Sequence, residues 1–252
     1  MAAKRPQRLV GVADLLERQH PELDDPEAAI RDGIVLVDGS VVVNPRSRVR
    51  RDAVIRLTRP QSLRGAEKLI AALDAFEVPV AGRAALDLGT STGGFTSVLA
   101  ERGARVVLAV DAGHGQLLGS LRQHPRVRNL ERTNLADLTP ESLGERIDLV
   151  TVDLSYLSIA SAIGQVEGLD FAADADLVAL VKPMFELGLG ALPTAPEQLD
   201  DAVRRAIAGV QAWPWSVRGV IASPVRGGRG AIEYLLHASR AGRPDPAPRL
   251  PR

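Results

Sequence analysis

Cysteine is absent from this 252-residue chain, and histidine occurs only four times, scattered at His20, His114, His124 and His237. Neither a disulfide framework nor a dense zinc site can be built from such a set, so no metal is expected. Long apolar runs are lacking too, since none approaches the roughly 18 residues needed to cross a bilayer. Basic residues occur in MAAKRPQRLV, but Asp14, Glu17 and Arg18 break up the stretch behind them, so a signal peptide is not expected. These absences point away from secretion and membranes, toward a reducing, cytoplasmic setting. Excess charge is missing as well: 31 Lys and Arg balance 31 Asp and Glu. Attraction to nucleic acid must therefore come from a local patch, not from the whole chain.

What is present is ordinary globular material, 45% hydrophobic and 25% charged, enough for one sizeable α/β domain and a small appendage. Residues 9 to 59 read as the appendage. An apolar-periodic segment spans Val12 to Leu16, and a short helix at Pro26 to Arg31 is stopped by Gly33. In IVLVDGSVVV, two β-branched runs flank Asp38-Gly39, a pair suited to a tight hairpin turn. A third strand is expected at Ala53 to Leu57. Arg46, Arg48, Arg50 and Arg51, with Arg56 and Arg59 beyond, form a basic cluster that reads equally as a solvated face or an RNA-contacting patch.

From Pro60 onward the pattern becomes helices alternating with short, almost continuous apolar strands, which predicts a doubly wound, mostly parallel α/β sheet. Helices are expected at Leu63 to Phe76, Thr92 to Arg102, Gln116 to Arg122 and Pro196 to Gln211. Strands are expected at Ala84 to Leu88, Arg105 to Val110, Leu149 to Asp153, Leu177 to Val181, Ser216 to Ile221 and Ala231 to Leu236. In such a sheet the ligand crevice lies beyond the carboxyl ends of the strands. The Pro-rich segment AGRPDPAPRLPR, residues 241 to 252, is expected to be a disordered tail.

The strongest local signal is ALDLGTSTGGF, Ala85 to Phe95, an apolar strand running through a Gly-rich turn into a helix. Gly89 permits a tight turn, and Gly93 and Gly94 would let a cofactor approach the backbone at a helix start. The spacing is neither the dinucleotide fingerprint nor a P-loop, so NAD and ATP are weaker readings. Tight packing alone is the plainer alternative. Asp87, just inside the turn, is placed to meet a cationic amino-acid end. Asp111 ends the next strand, where an acid accepts hydrogen bonds from ribose hydroxyls. Asn134, in ERTNLADL, either lines the adenine side of the crevice or caps a turn.

Four ionisable residues stand where the apolar pattern gives no reason for charge. Asp153 closes DLVTVD, Lys182 closes DLVALVK, Glu233 interrupts AIEYLL, and Lys68 lies in the helix before the first strand. Charges in such places must be paired. Each also has a plain reading: Lys68 on a helix surface, Glu233 at a strand edge, Asp153 and Lys182 as a structural ion pair.

The wording and order of RGAEKL, ALDLGTSTGGFTSVLAERGA, VDAGHGQL, VDLSYLSI, ALVKPMFE and GAIEYLL resemble the TlyA-type, hemolysin-annotated RNA methyltransferases, relatives of the FtsJ ribose methyltransferases. The similarity spans roughly residues 60 to 240. It implies a Rossmann-like fold that binds S-adenosylmethionine (SAM) through Asp87, Gly89, Ser91, Gly93, Gly94 and Asp111. It also implies a Lys-Asp-Lys-Glu tetrad for 2′-O-methyl transfer at Lys68, Asp153, Lys182 and Glu233. Residues 9 to 59 resemble the small α+β RNA-binding domain that precedes the enzyme in this family. Where the family carries a basic Ser-Arg helix, this chain has PELDDPEAA, which repels phosphate.

The expected function is methylation of a ribose 2′-hydroxyl of rRNA, with rRNA or a ribosomal subunit as partner. Lys182 would draw off the hydroxyl proton, while Lys68, Asp153 and Glu233 orient the ribose and the lysine. A free lysine, with a reference pKa of about 10.4, is protonated at neutral pH. Burial and Lys68 favour the neutral form, and the two acids oppose it. Two alternatives stand: a non-catalytic RNA- or ribosome-binding protein on this fold, and a SAM enzyme with a non-RNA acceptor.

Overall fold

The computed structural model describes residues 9–31, 33–57 and 64–240. The expected boundary near residue 60, Arg59, and the expected tail at 241 to 252 lie outside them.

The first residues build a small α+β unit. Strand β1 (Leu9–Gly11) leads into helix α1 (Val12–Gln19), followed by helix α2 (Pro26–Arg31), strands β2 (Val35–Val37) and β3 (Ser40–Val41), β4 (Arg48–Arg50) and β5 (Ile55–Leu57). Helix α1 buries Val12, Leu15 and Leu16 against Ile30, Val35 and Ile55, which is the core of this unit. The Asp38-Gly39 turn forms as its sequence dictates, with φ of 50° and 86°, both positive as a type I′ hairpin requires. Asp38 then fastens it, accepting from the Val54 N–H at 3.0 Å and from Arg50 at 2.9 Å. Strands β1 and β4, which the alternation does not reveal, pair antiparallel, so Arg48 and Arg50 belong to a strand and not to a loop.

Helix α3 (Arg64–Ala75) opens the larger unit and is followed by β6 (Ala84–Leu88), α4 (Gly94–Glu101), β7 (Val106–Asp111), α5 (Gly119–Arg122) and β8 (Val127–Glu131). Helix α6 (Pro140–Leu143), β9 (Ile147–Val152), α7 (Ile159–Val166), β10 (Phe171–Val181) and α8 (Pro183–Glu186) come next. Helix α9 (Pro196–Gln211), β11 (Trp215–Ala222) and β12 (Tyr234–Arg240) complete it. The seven strands lie in the order β11-β12-β10-β9-β6-β7-β8. Strands β10, β9, β6, β7 and β8 pair in parallel, and β12 is antiparallel to both its neighbours, β10 and β11. This is a Rossmann-like, doubly wound sheet.

Strand alternation sorts the core into two layers. Leu86, Val150 and Ala179 face the side covered by α7 and α9, while Ala85, Leu149, Val178 and Leu180 face α3 and α4. Order reverses between β6 and β9, whose chains continue in opposite directions across the sheet, so the crevice opens at their carboxyl ends. The last strand departs from expectation: β12 starts at Tyr234, not Ala231, so Glu233 precedes it instead of lying within it. Among the described residues, no helix is long and apolar enough to cross a membrane.

Candidate active site

At the switch point the backbones of two strand ends nearly touch. Gly89 has φ of 90°, and a methyl group there would lie 2.5 Å from the Asp153 carbonyl oxygen, so only glycine lets β6 and β9 close together. The Asp153 N–H in turn donates to the Leu88 carbonyl at 2.9 Å. This contact sets the floor of a crevice of about 820 Å³, walled by Gly65, Lys68, Ser91, Gly94, Asp153 and Lys182. Its outer side is closed by Gly33, Leu36 and Val41 of the small unit. The two units meet where Gly33 packs on Leu118 and Gly119 packs under Arg31.

Gly93 and Gly94 are also pressed by neighbouring elements. At Gly93, with φ of 102°, a methyl group would fall 2.3 Å from Leu121 Cδ1. At Gly94 it would fall 3.0 Å from Gly65 Cα, where α4 crosses α3. The left-handed backbone at Gly93 and the close crossing of α3 and α4 at Gly94 favour glycine at both positions, apart from any ligand. Ser91 adopts φ of 47°, held there because its N–H donates to Asp111 Oδ2 at 2.8 Å.

Asp87 sits beneath the turn, fully buried, with Oδ2 accepting from Thr96 at 2.6 Å and Oδ1 from Thr151 at 2.8 Å. Burial pushes its carboxyl up to about 6 despite those two hydrogen bonds. It ties α4 and β9 to β6 and lines neither the crevice nor the recess beside Asp111. Of the two readings open for Asn134, the structure has the turn: its amide donates to Asp137 at 3.1 Å, and it heads a short 3₁₀ turn.

Asp111 ends β7 facing a smaller recess of about 200 Å³ that Gly89, Leu135, Ser155 and Tyr156 also line. Its oxygens accept from Ser91 N–H and, at 2.7 Å, Gly113 N–H. An ionised carboxylate offers about four acceptor positions, so two remain for hydroxyl donors in the recess. Glu131, which no sequence pattern marks, steadies this wall. Its Oε1 accepts from the N–H groups of Gln116 and Leu117 at 3.0 and 3.3 Å and pairs with Arg122 at 3.1 Å. Burial would raise its carboxyl, but hydrogen bonds from Asn129 and the 115–117 backbone hold it below the usual range.

The four charges singled out in the sequence form two ion pairs. Lys68 meets Glu233 at 2.5 Å, with side chains only 8% and 5% exposed, and Lys182 meets Asp153 at 2.6 Å, at 16% and 24%. Lys182 also donates to Ser155 Oγ at 2.9 Å. Gly227 seals Glu233 from above, since a methyl group there would fall 2.1 Å from Oε1. A second cavity of about 470 Å³ adjoins the crevice, and Ser155 and Lys182 line both. Its inner end holds Glu233, its walls are apolar with Phe185, Leu192 and Ile232, and Arg229 stands in its lining. Ser155 was legible only as a polar residue two positions after Asp153 in VDLSYLSI.

A recess for hydroxyl groups, a glycine-pinched crevice and a lysine shared with a second cavity make a place where two substrates can meet. The sequence profile of the FtsJ-like methyltransferases matches residues 62–240. The chain belongs to this family, in its TlyA-type branch. Over 213 residues it is 45% identical to the 16S/23S rRNA (cytidine-2′-O)-methyltransferase TlyA of Mycobacterium tuberculosis, covering 81% of this chain and 79% of that protein. It is 32% identical to Hemolysin A of Brachyspira hyodysenteriae over 81% of this chain and 88% of that one. A solved hemolysin-named chain from Streptococcus thermophilus superposes with a TM-score of 0.69 at 27% identity, over 97% and 92% of the two chains.

The protein is thus a methyltransferase whose methyl donor is SAM. The crevice fits that cofactor. It is large enough for a ligand of this size, and Asp111 retains acceptor positions in the recess beside it. The backbone at Gly89 and Ser91 and the carboxylate of Asp111 would hold it, and it would supply an electrophilic methyl group.

Proposed function

We propose that this methyltransferase acts in the cytoplasm on a ribose 2′-hydroxyl of rRNA, with the acceptor nucleoside in the second cavity. The observation that carries the reading is the Lys182–Asp153 pair at the junction of the two cavities, with Ser155 beside it. Methyl transfer needs an acceptor oxygen aligned with the donor and relieved of its proton. In this reading Lys182 gives up one proton before the transfer, its neutral Nζ then takes the proton of the 2′-oxygen as that oxygen attacks the methyl carbon, Asp153 Oδ1 stabilises the ammonium so formed, and Ser155 Oγ fixes the direction of the amine. Lys68 and Glu233 form the back wall that keeps Lys182 and the ribose in register. The name of the M. tuberculosis relative supports both the rRNA acceptor and the 2′-oxygen. Asp87, Gly93 and Gly94 serve the site by holding the turn that carries Gly89 and Ser91. The small unit, which closes the outer side of the crevice, is read as the RNA-docking part.

Transfer from labelled SAM to rRNA, to protein and to small-molecule extract, followed by mass mapping of ribose methylation, tests this. Label in rRNA at a 2′-oxygen supports it. Label in another fraction alone, or none anywhere with SAM bound, overturns it in favour of a different acceptor or a non-catalytic binder. Lys182→Ala is expected to lower the rate about a hundredfold to ten-thousandfold with SAM affinity nearly unchanged. Its stability loss should be smaller than that of a sealed pair, because the Lys182–Asp153 pair is partly solvated.

A further inference from the structure

The loop between β11 and β12 contains an arginine where the backbone prefers glycine. Arg229 adopts φ of 56° and ψ of 22°, the left-handed region, within the run Gly227-Gly228-Arg229-Gly230. Glycine occupies that region at no steric cost, whereas a residue with a Cβ is held there against its preference, and such residues cluster where ligands are clamped. The side chain is exposed and lines the second cavity, and no carboxylate pairs with it among the described residues. Its neighbour Arg226 behaves differently, donating to the Gly230 carbonyl at 3.3 Å and closing the loop on itself. The lysine that lines this cavity, Lys182, is already paired with Asp153, and Glu233 in the same lining is paired with Lys68. Arg229 is therefore the cation left for an incoming anion.

Chemistry supplies that anion. In an RNA chain the 2′- and 3′-oxygens sit on adjacent ribose carbons, so a 2′-hydroxyl brought to Lys182 carries its own 3′-phosphate to within a few bonds of the same cavity. A guanidinium presents a planar fork of donors that matches two phosphate oxygens. We propose that Arg229 is a binding residue for the phosphodiester flanking the acceptor ribose, fixing which ribose of the strand enters the cavity. This rests on the reading of the second cavity as the acceptor site.

The test uses the full chain, a fluorescein-labelled 20-nucleotide single-stranded RNA for binding, and bulk rRNA for methyl transfer. Arg229→Gln and Arg229→Gly are expected to weaken RNA binding about tenfold and to reduce the slope of log affinity against log salt by about one. SAM affinity by calorimetry should not change, and Arg229→Lys should retain part of the binding. Arg229→Gly should also raise Tm by about two to four degrees by relieving the backbone, a sign opposite to that of a structural arginine. Wild-type RNA affinity and salt slope in Arg229→Gln, with methyl transfer to rRNA intact in the parent, overturn this inference alone. A drop in Tm for Arg229→Gly shows instead that the arginine holds the loop. Absence of transfer to rRNA by the parent protein overturns the acceptor reading and the phosphate clamp together.

Discussion

Replacing Lys68 by methionine removes the ammonium from the sealed pair while keeping most of the side-chain volume. Glu233 is then left as a carboxylate with 5% of its side chain exposed and Gly227 packed over it. Stranding one member of a buried ion pair costs about 3–5 kcal/mol. For a domain of this size each kcal/mol moves Tm by about 2–4 °C, so the expected fall is roughly 6–20 °C. Urea unfolding at pH 7.5 without SAM can be followed by tryptophan emission, because the chain has two tryptophans and Trp215, at the start of β11, is 4% exposed. The decisive comparison is a double-mutant cycle with Glu233→Gln. With both charges gone the penalty largely disappears, so Lys68→Met/Glu233→Gln should be more stable than Lys68→Met alone. A loss below about 1 kcal/mol in Lys68→Met, or a double variant whose loss equals the sum of the singles, would refute the claim that this pair is sealed and coupled.

Glu186 gives a pH signature. Its Oε1 accepts from the Ile159 N–H at the start of α7, and burial pushes its carboxyl from 4.5 to about 7. Between those values the native state keeps a proton that the unfolded chain releases, so stability present below about pH 4.5 is lost as pH rises through 7. Glu186→Gln should remove that dependence and gain up to about 3 kcal/mol at pH 8 relative to pH 5; an equal Tm difference from the parent at both pH values would contradict it. Gly227→Ala pushes a methyl group into Glu233 and should cost about 1–3 kcal/mol, whereas Gly228→Ala meets nothing within 4 Å and serves as the silent control. Asp111→Asn removes one of two acceptors that hold Ser91 and Gly113, and SAM affinity measured by calorimetry should fall about tenfold.

The Gly-rich turn, the parallel strands and the four interior charges could be read from the chain because each breaks a simple pattern. An apolar run tolerates a carboxylate or an amine only where something pairs with it. Asp87 shows where that reading stops. Its position two residues after Ala85 places both on the face of β6 covered by α3 and α4, so its carboxylate meets Thr96 beneath the turn. Gly93 and Gly94 are ambiguous in the same way, because a missing side chain looks alike in sequence whether a cofactor or a neighbouring helix takes the space. Strand β8, with sequence VRNLE, gives no strand signal because an edge strand with polar residues lacks the apolar continuity of its neighbours. Helix α7, IASAIGQV, is apolar enough to pass for part of a strand. Arg229 had no signal at all, since its left-handed backbone exists only once the loop is folded over the cavity.

The position of β12 has a consequence for synthesis. It is the last strand of the described chain, yet it lies inside the sheet between β10 and β11. A ribosome delivers β10 and β11 first, and until residues 234–240 emerge each leaves open the edge that β12 will occupy. On β10 this is the run Leu177 to Val181, buried in the finished fold. Unpaired apolar edges of this kind invite wrong partners during folding. Because Glu233 directly precedes the strand that closes the sheet, the charged back wall and the protection of these edges both wait for the same late stretch of chain.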